Sequence, residues 1–130
     1  MAVFGAPVAH ADHAERAVAA AIAMHGAQPE LNSQWEADGL RPFGLGIGLA
    51  TGLVAAALLG SEERLEYSVV GDTVNLTQRL QQWAEPGETV LSEPTWDAIH
   101  PKPAAESLEP AMVKGRDTAV GAYRFPPRPA

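Results

Sequence analysis

Cysteine does not occur in this chain of 130 residues. A disulfide framework, a thiolate metal site and a cysteine nucleophile are thereby excluded. Uninterrupted apolar runs of membrane-spanning length are missing too: no window reaches the roughly 18 consecutive apolar residues such a helix needs. The N-terminal MAVFGAPVAHADH shows no basic leader followed by a cleavable apolar stretch, so a cytoplasmic protein without a membrane segment is expected. Positive charge is scarce, with 9 Lys and Arg against 16 Asp and Glu for a formal charge of −7. That balance opposes a nucleic-acid partner, which needs a basic face to displace counterions. A single nucleotide stays open, because one or two well-placed cations and backbone donors suffice to hold it. No internal repeat is visible.

What is present fits one domain, with 46% hydrophobic and 19% charged residues, enough to bury a core. Met1 to Phe4 reads as a short strand ending at Gly5-Ala-Pro7. Asp12 suits an N-cap with Glu15 three residues on, and Ala14, Ala17, Val18, Ala21 and Ile22 recur at helical spacing. A helix over 13–25 follows, stopped by Gly26, with a second helical stretch from Gln28 toward Arg41 after Pro29 and ended at Gly39. Phe43 to Ala50 sets large apolar residues against Gly44, Gly46 and Gly48, the period of a strand whose glycine face invites close approach. Thr51-Gly52 reads as its turn, with Leu53 to Leu59 as the returning strand. Glu62 to Glu66 is a charged hairpin tip, solvated rather than catalytic, and Tyr67 to Val70 a further strand. A helix follows to about Ala84, capped by Asp72 and closed by Pro86-Gly87. Thr89 to Leu91 is a strand, and Ser92 caps a helix that admits Pro94 in its first turn. Beyond a Pro-containing loop, Val113 to Arg116 and Ala119 to Phe125 look like the arms of a last hairpin. Residues 1–125 are thus expected to form the domain, with 126–130 a Pro-rich tail or linker. Trp83 and Trp96 read as core, and His10 and His13, without a third ligand, as helix-start polar residues rather than metal ligands.

The chemistry concentrates in Gly46-Ile-Gly-Leu-Ala-Thr-Gly52 and in the run from Gly60 to Leu80. Asn75 and Arg79 stand four apart on the helix and so share a face. An amide and a guanidinium placed together could hold a ribose oxygen and a phosphate, although the same spacing also describes an ordinary solvated helix face. The string Glu66-Tyr-Ser-Val-Val-Gly-Asp-Thr-Val-Asn-Leu76 with Arg79-Leu80 resembles the signature of class III adenylate/guanylate cyclase catalytic domains. His13-Ala-Glu-Arg-Ala17, the Gly-Ile-Gly segment, Pro86-Gly-Glu88 and Val113-Lys-Gly115 match that family too, so the resemblance covers nearly the whole chain.

The resemblance implies a truncated ferredoxin-like α/β sandwich of the α+β class. It also implies a reaction in which the ribose 3′-hydroxyl of ATP attacks the α-phosphate, giving cyclic AMP and pyrophosphate in cyclic-nucleotide signalling. Asn75 matches the residue that orients the ribose, and Arg79 the cation that stabilises charge on the α-phosphate. Ser68 falls where the family reads the purine edge and leans toward ATP. Either Lys114 or Arg116 matches the cation at the triphosphate tail. The family works as homodimers or heterodimers of cyclase domains and uses Mg or Mn. Its two metal-binding aspartates and a purine-reading lysine lie upstream of the residues matching Met1 to Pro7. No metal is therefore expected to bind tightly to this chain, and the chain alone is expected to be inactive. Ala50 departs from the family's usual His or Asn before Thr-Gly, and Leu53 and Ala57 depart from its usual residues at the dimer surface. Two classes stay open: part of a working cyclase whose beginning lies upstream, or a degenerate cyclase-like module for binding or dimerisation.

Overall fold

The computed structural model describes every residue except Pro7, Glu62, Glu63 and Ala130, and describes 56–69 by backbone alone. The elements are α1 (His13–Ala37), β1 (Ile47–Leu49), β2 (Ala55–Ser61), β3 (Arg64–Val70), α2 (Asp72–Trp83), β4 (Thr89–Ser92), α3 (Glu93–Asp97), β5 (Glu106–Ser107) and β6 (Ala122–Phe125). Four strands form a mixed sheet in the order β1-β4-β6-β5, and β2 and β3 form a separate antiparallel pair. This is the α+β architecture expected from the sequence.

Alternation along β4 serves two helices, because successive side chains of a strand point to opposite faces. Leu91 joins Ala14, Val18 and Ala21 of α1 with Ile99 and Phe125 in one core cluster. Its neighbour Val90 joins Leu76 and Leu80 of α2 with Val113, Val120 and Ala122 in the other. Ile47 and Leu49 of β1 pack on the α1 side. Gly48 between them meets α2, and a Cβ there would lie 2.6 Å from the Thr77 carbonyl oxygen. The glycine face thus admits the backbone of α2, as the alternating pattern suggested.

Several local expectations are corrected. Met1 to Phe4 is not a strand; a strand needs a partner for its backbone groups, and none lies beside it among the described residues. The first helix does not stop at Gly26 but runs through Pro29 to Ala37 as one element. An internal proline costs about 3 kcal/mol, and tertiary contacts offset it. Gln28 and Asn32 donate to the Phe43 carbonyl at 3.2 and 2.9 Å, Phe43 N donates back to Asn32 Oδ1 at 3.2 Å, and Trp35 packs on the Phe43 ring at 5.1 Å. The helix ends as a Schellman motif, with Gly39 at φ 78° and Leu40 N–H donating to the Trp35 carbonyl at 2.8 Å. Asp12 holds the N-cap position, but its carboxylate accepts from Arg16 at 2.8 Å instead of from the backbone.

The expected hairpin between 43–50 and 53–59 does not form. β1 is only three residues long and pairs in parallel with β4, while β2 pairs with β3, Ala55 opposite Val70 and Ala57 opposite Ser68. Thr51 and Gly52 do not reverse the chain; Thr51 Oγ1 lies 2.8 Å from Thr95 Oγ1, and Thr73 Oγ1 donates to the Leu53 carbonyl at 3.0 Å. The first contact ties the segment to α3 and the second ties it to α2. The expected hairpin tip falls partly outside the described residues, at Glu62 and Glu63, and Glu66 belongs to β3. Val113 to Arg116 forms a turn around Gly115 (φ 90°), not a strand arm. Pairing there is limited to a bridge between Ala111 and Val120, and β6 instead pairs with β4 and β5.

A partly buried ion network fastens the chain after β6. Arg128 donates to both oxygens of Glu88 at 2.7 and 2.9 Å, its backbone N–H donates to Glu106 at 3.0 Å, and Arg124 donates to the same Glu106 oxygen at 2.5 Å. Hydrogen bonding from Arg128, helped by the Glu85 N–H and the nearby guanidinium charges, outweighs burial and lowers the Glu88 pKa to about 2.

Candidate functional site

The site is built on the start of α2. Gly71, at φ 140°, supplies the backbone conformation that joins β3 to the helix, and its carbonyl accepts from the Val74 and Asn75 amides. Gly71 therefore takes the capping position that the sequence suggested for Asp72. Asp72 enters the first turn without a side-chain cap bond, its carboxylate paired instead with Arg116 Nη2 at 2.5 Å.

Leu76 and Leu80 fill the buried stripe of α2, which leaves Asn75 and Arg79 exposed side by side in the adjacent stripe. Arg79 Nη1 donates to Gln82 Oε1 at 3.2 Å, a contact on the surface that leaves the guanidinium accessible. The helix N-terminus adds its own partial positive charge at this end. Across from the first turn lies the turn over 113–116. Val113 is buried against Leu76 and Leu80, Arg116 reaches Asp72, and Lys114 is exposed with no ion pair among the described residues.

The structure thus gathers Asn75, Arg79 and Arg116 around α2 and places Lys114 in the same turn as Arg116. Ser68 stands on β3 two residues before its end, opposite Ala57; its side chain lies outside the described set. Asp72 as the anchor of Arg116 was missed from the sequence, because nothing local marks a pairing so distant along the chain. Thr73, which ties α2 to the Leu53 carbonyl, was missed for the same reason.

Among the described residues no group of three or more His, Asp or Glu could hold an ion. Asp72, Glu88 and Glu106 already face guanidinium groups, which satisfy the charge a cation would need.

Comparison with known proteins shows the family. Residues 1–124 match the model of the adenylate and guanylate cyclase catalytic domain. Adenylate cyclase 1 of Rhizobium meliloti (strain 1021) is 35% identical over 128 residues, covering 94% of this chain and 19% of that protein. The guanylyl cyclase Cya2 superposes with a TM-score of 0.86 at 36% identity, covering 93% of this chain and 61% of that one. The adenylyl cyclase CyaB from P. aeruginosa does so at 0.83 and 31%, covering 93% and 63%. The chain belongs to the class III adenylate/guanylate cyclase catalytic domain family. It spans about three fifths of those solved domains and about a fifth of the Rhizobium protein. No helix is long and apolar enough to cross a membrane among the described residues.

Proposed function

We propose that these residues form the ribose- and phosphate-holding part of a nucleotidyl cyclase site that makes cyclic AMP and pyrophosphate from ATP. The observation that carries this reading is the pairing of exposed Asn75 and Arg79 on one face of α2, in a family whose chemistry needs such a pair. Asn75 orients the ribose so that its 3′-hydroxyl faces the α-phosphate. Arg79 stabilises the charge that grows on the α-phosphate as the new P–O bond forms and pyrophosphate leaves. Lys114 takes the triphosphate tail; Arg116 is less suited, because Asp72 occupies it.

Ser68 selects the purine and favours ATP, a cytoplasmic substrate. One relative acts on each nucleotide by name, so overall similarity is silent on the base and Ser68 carries the choice. The metal ligands of the reaction come from outside the described residues, among which no group of three or more His, Asp or Glu stands together, and the chain makes cyclic AMP only where those ligands are supplied. It works against a second cyclase domain, as a homodimer or heterodimer. Leu53, 96% exposed, and Val70, 54% exposed, offer apolar surface beside α2 that such a partner would cover.

A chimera tests the reading. The matching segment of the Rhizobium adenylate cyclase is replaced by residues 1–124, and cyclic AMP is measured with and without Asn75→Ala. Cyclic AMP formation that the substitution abolishes supports the proposal. A folded chimera that makes none, or one indifferent to Asn75, contradicts it.

A further inference from the structure

The turn that carries Lys114 has two fastenings of different kinds. Its base is held by the burial of Val113 and by the bridge between Ala111 and Val120. Its far end is held by Arg116, whose Nη2 meets Asp72 in the first turn of α2 at 2.5 Å and whose backbone N–H donates to the Val113 carbonyl at 3.0 Å. Residues 117–119 beyond it are exposed. The ion pair is a single-nitrogen contact, since the Nε of Arg116 is buried without a partner. Asp72 is 61% exposed, so water screens the pair and its contribution to folding is small. Its effect lies in position: it joins the Lys114 turn to the helix that bears Asn75 and Arg79.

We propose that Asp72 and Arg116 form a positioning latch that holds Lys114 in register with Asn75 and Arg79 for a triphosphate. Asp72 is a positioning residue here, acting through Arg116 on a cation that touches the phosphates. The inference rests on the reading of Lys114 given above. Its sign separates it from simple charge effects. An aspartate beside a phosphate site repels the ligand, so neutralising it should tighten anion binding on Coulomb grounds alone. A latch requires the opposite, because a released turn must be ordered again when the ligand binds.

The test measures binding of inorganic tripolyphosphate to the full chain by calorimetry at low ionic strength, with near-UV circular dichroism to verify folding. Lys114→Gln should weaken binding ~3–10-fold, and Asp72→Asn should weaken it by a similar factor despite removing a negative charge. Asp72→Glu, which keeps the pair, should stay within about twofold of the wild type. The double variant Asp72→Asn/Lys114→Gln should be no weaker than Lys114→Gln alone. If Asp72→Asn binds as well as the wild type or better while Lys114→Gln is weakened, the latch is wrong and the Lys114 reading stands. If Lys114→Gln matches the wild type, or the wild type shows no binding, the Lys114 reading fails and the inference falls with it. Loss of the folded state in both Asp72 variants would make the pair structural and overturn the proposal.

Discussion

Acid should unfasten the segment after β6, and Glu88 is the group that reports it. In the folded chain Glu88 is 7% exposed and accepts two hydrogen bonds from Arg128. Its pKa falls from 4.5 to about 2. Because the folded value lies below the unfolded one, the linked stability is complete above about pH 4.5 and drains away as pH falls toward about 2. A depression of that size corresponds to at most ~3.4 kcal/mol. Arg128 is 39% exposed, and solvent screening of its charge reduces the expected gain to about 1–3 kcal/mol. Urea unfolding of the wild type and Glu88→Gln at pH 6 and pH 3 isolates this contribution, since the other carboxylates titrate in both. The variant should be less stable by ~1–3 kcal/mol at pH 6, and the gap should shrink at pH 3. Equal stability of the two proteins at pH 6, or a gap that does not change with pH, would refute the reasoning.

Other consequences follow from packing around α2. Gly48→Ala places a methyl group against the Thr77 carbonyl and should cost about 1–3 kcal/mol in denaturant unfolding through overpacking. It should also displace α2 and with it Asn75 and Arg79, so a folded variant should bind triphosphate more weakly. Leu80, 0% exposed, should cost ~2–5 kcal/mol on truncation to alanine, whereas Asn75→Ala on the exposed face should leave stability within about 0.5 kcal/mol.

Local chemistry in the sequence was enough to place α2 and β4, and to mark the glycine face of β1 as a close-approach surface. The pairing of strands was not legible. Phe43 to Ala50 and Leu53 to Leu59 are both apolar and separated by Thr51-Gly52, which locally describes a hairpin. The parallel partner of β1 is β4, far along the chain, and contacts from outside the segment mark it: Gly48 packs on the intervening α2 and Gly87 N–H donates to the Leu45 carbonyl. Gly26 and Pro29 are genuine breakers by propensity, yet Gln28, Asn32 and Trp35 find Phe43 in space and keep the helix whole. At the site, Asn75 and Arg79 share a face because helical spacing fixes it. The fates of Asp72 and Arg116 depended on each other and could not be read from either position. The buried Glu88 carries no sequence mark of its own, since its partners Arg124 and Arg128 arrive from the far end of the chain.

The central claim is that Asn75 and Arg79 serve a nucleotide cyclisation site completed by a partner domain. It is tested most directly by mixing this chain with a cyclase subunit that keeps its metal aspartates but has lost its own Asn and Arg. Cyclic AMP should rise above the level of the mutant subunit alone. The gain should drop ~10²–10³-fold when the added chain carries Arg79→Ala, the usual cost of losing one preorganised charge-stabilising donor. No gain from the folded chain at high concentration, or a gain that survives Arg79→Ala, would contradict the assignment.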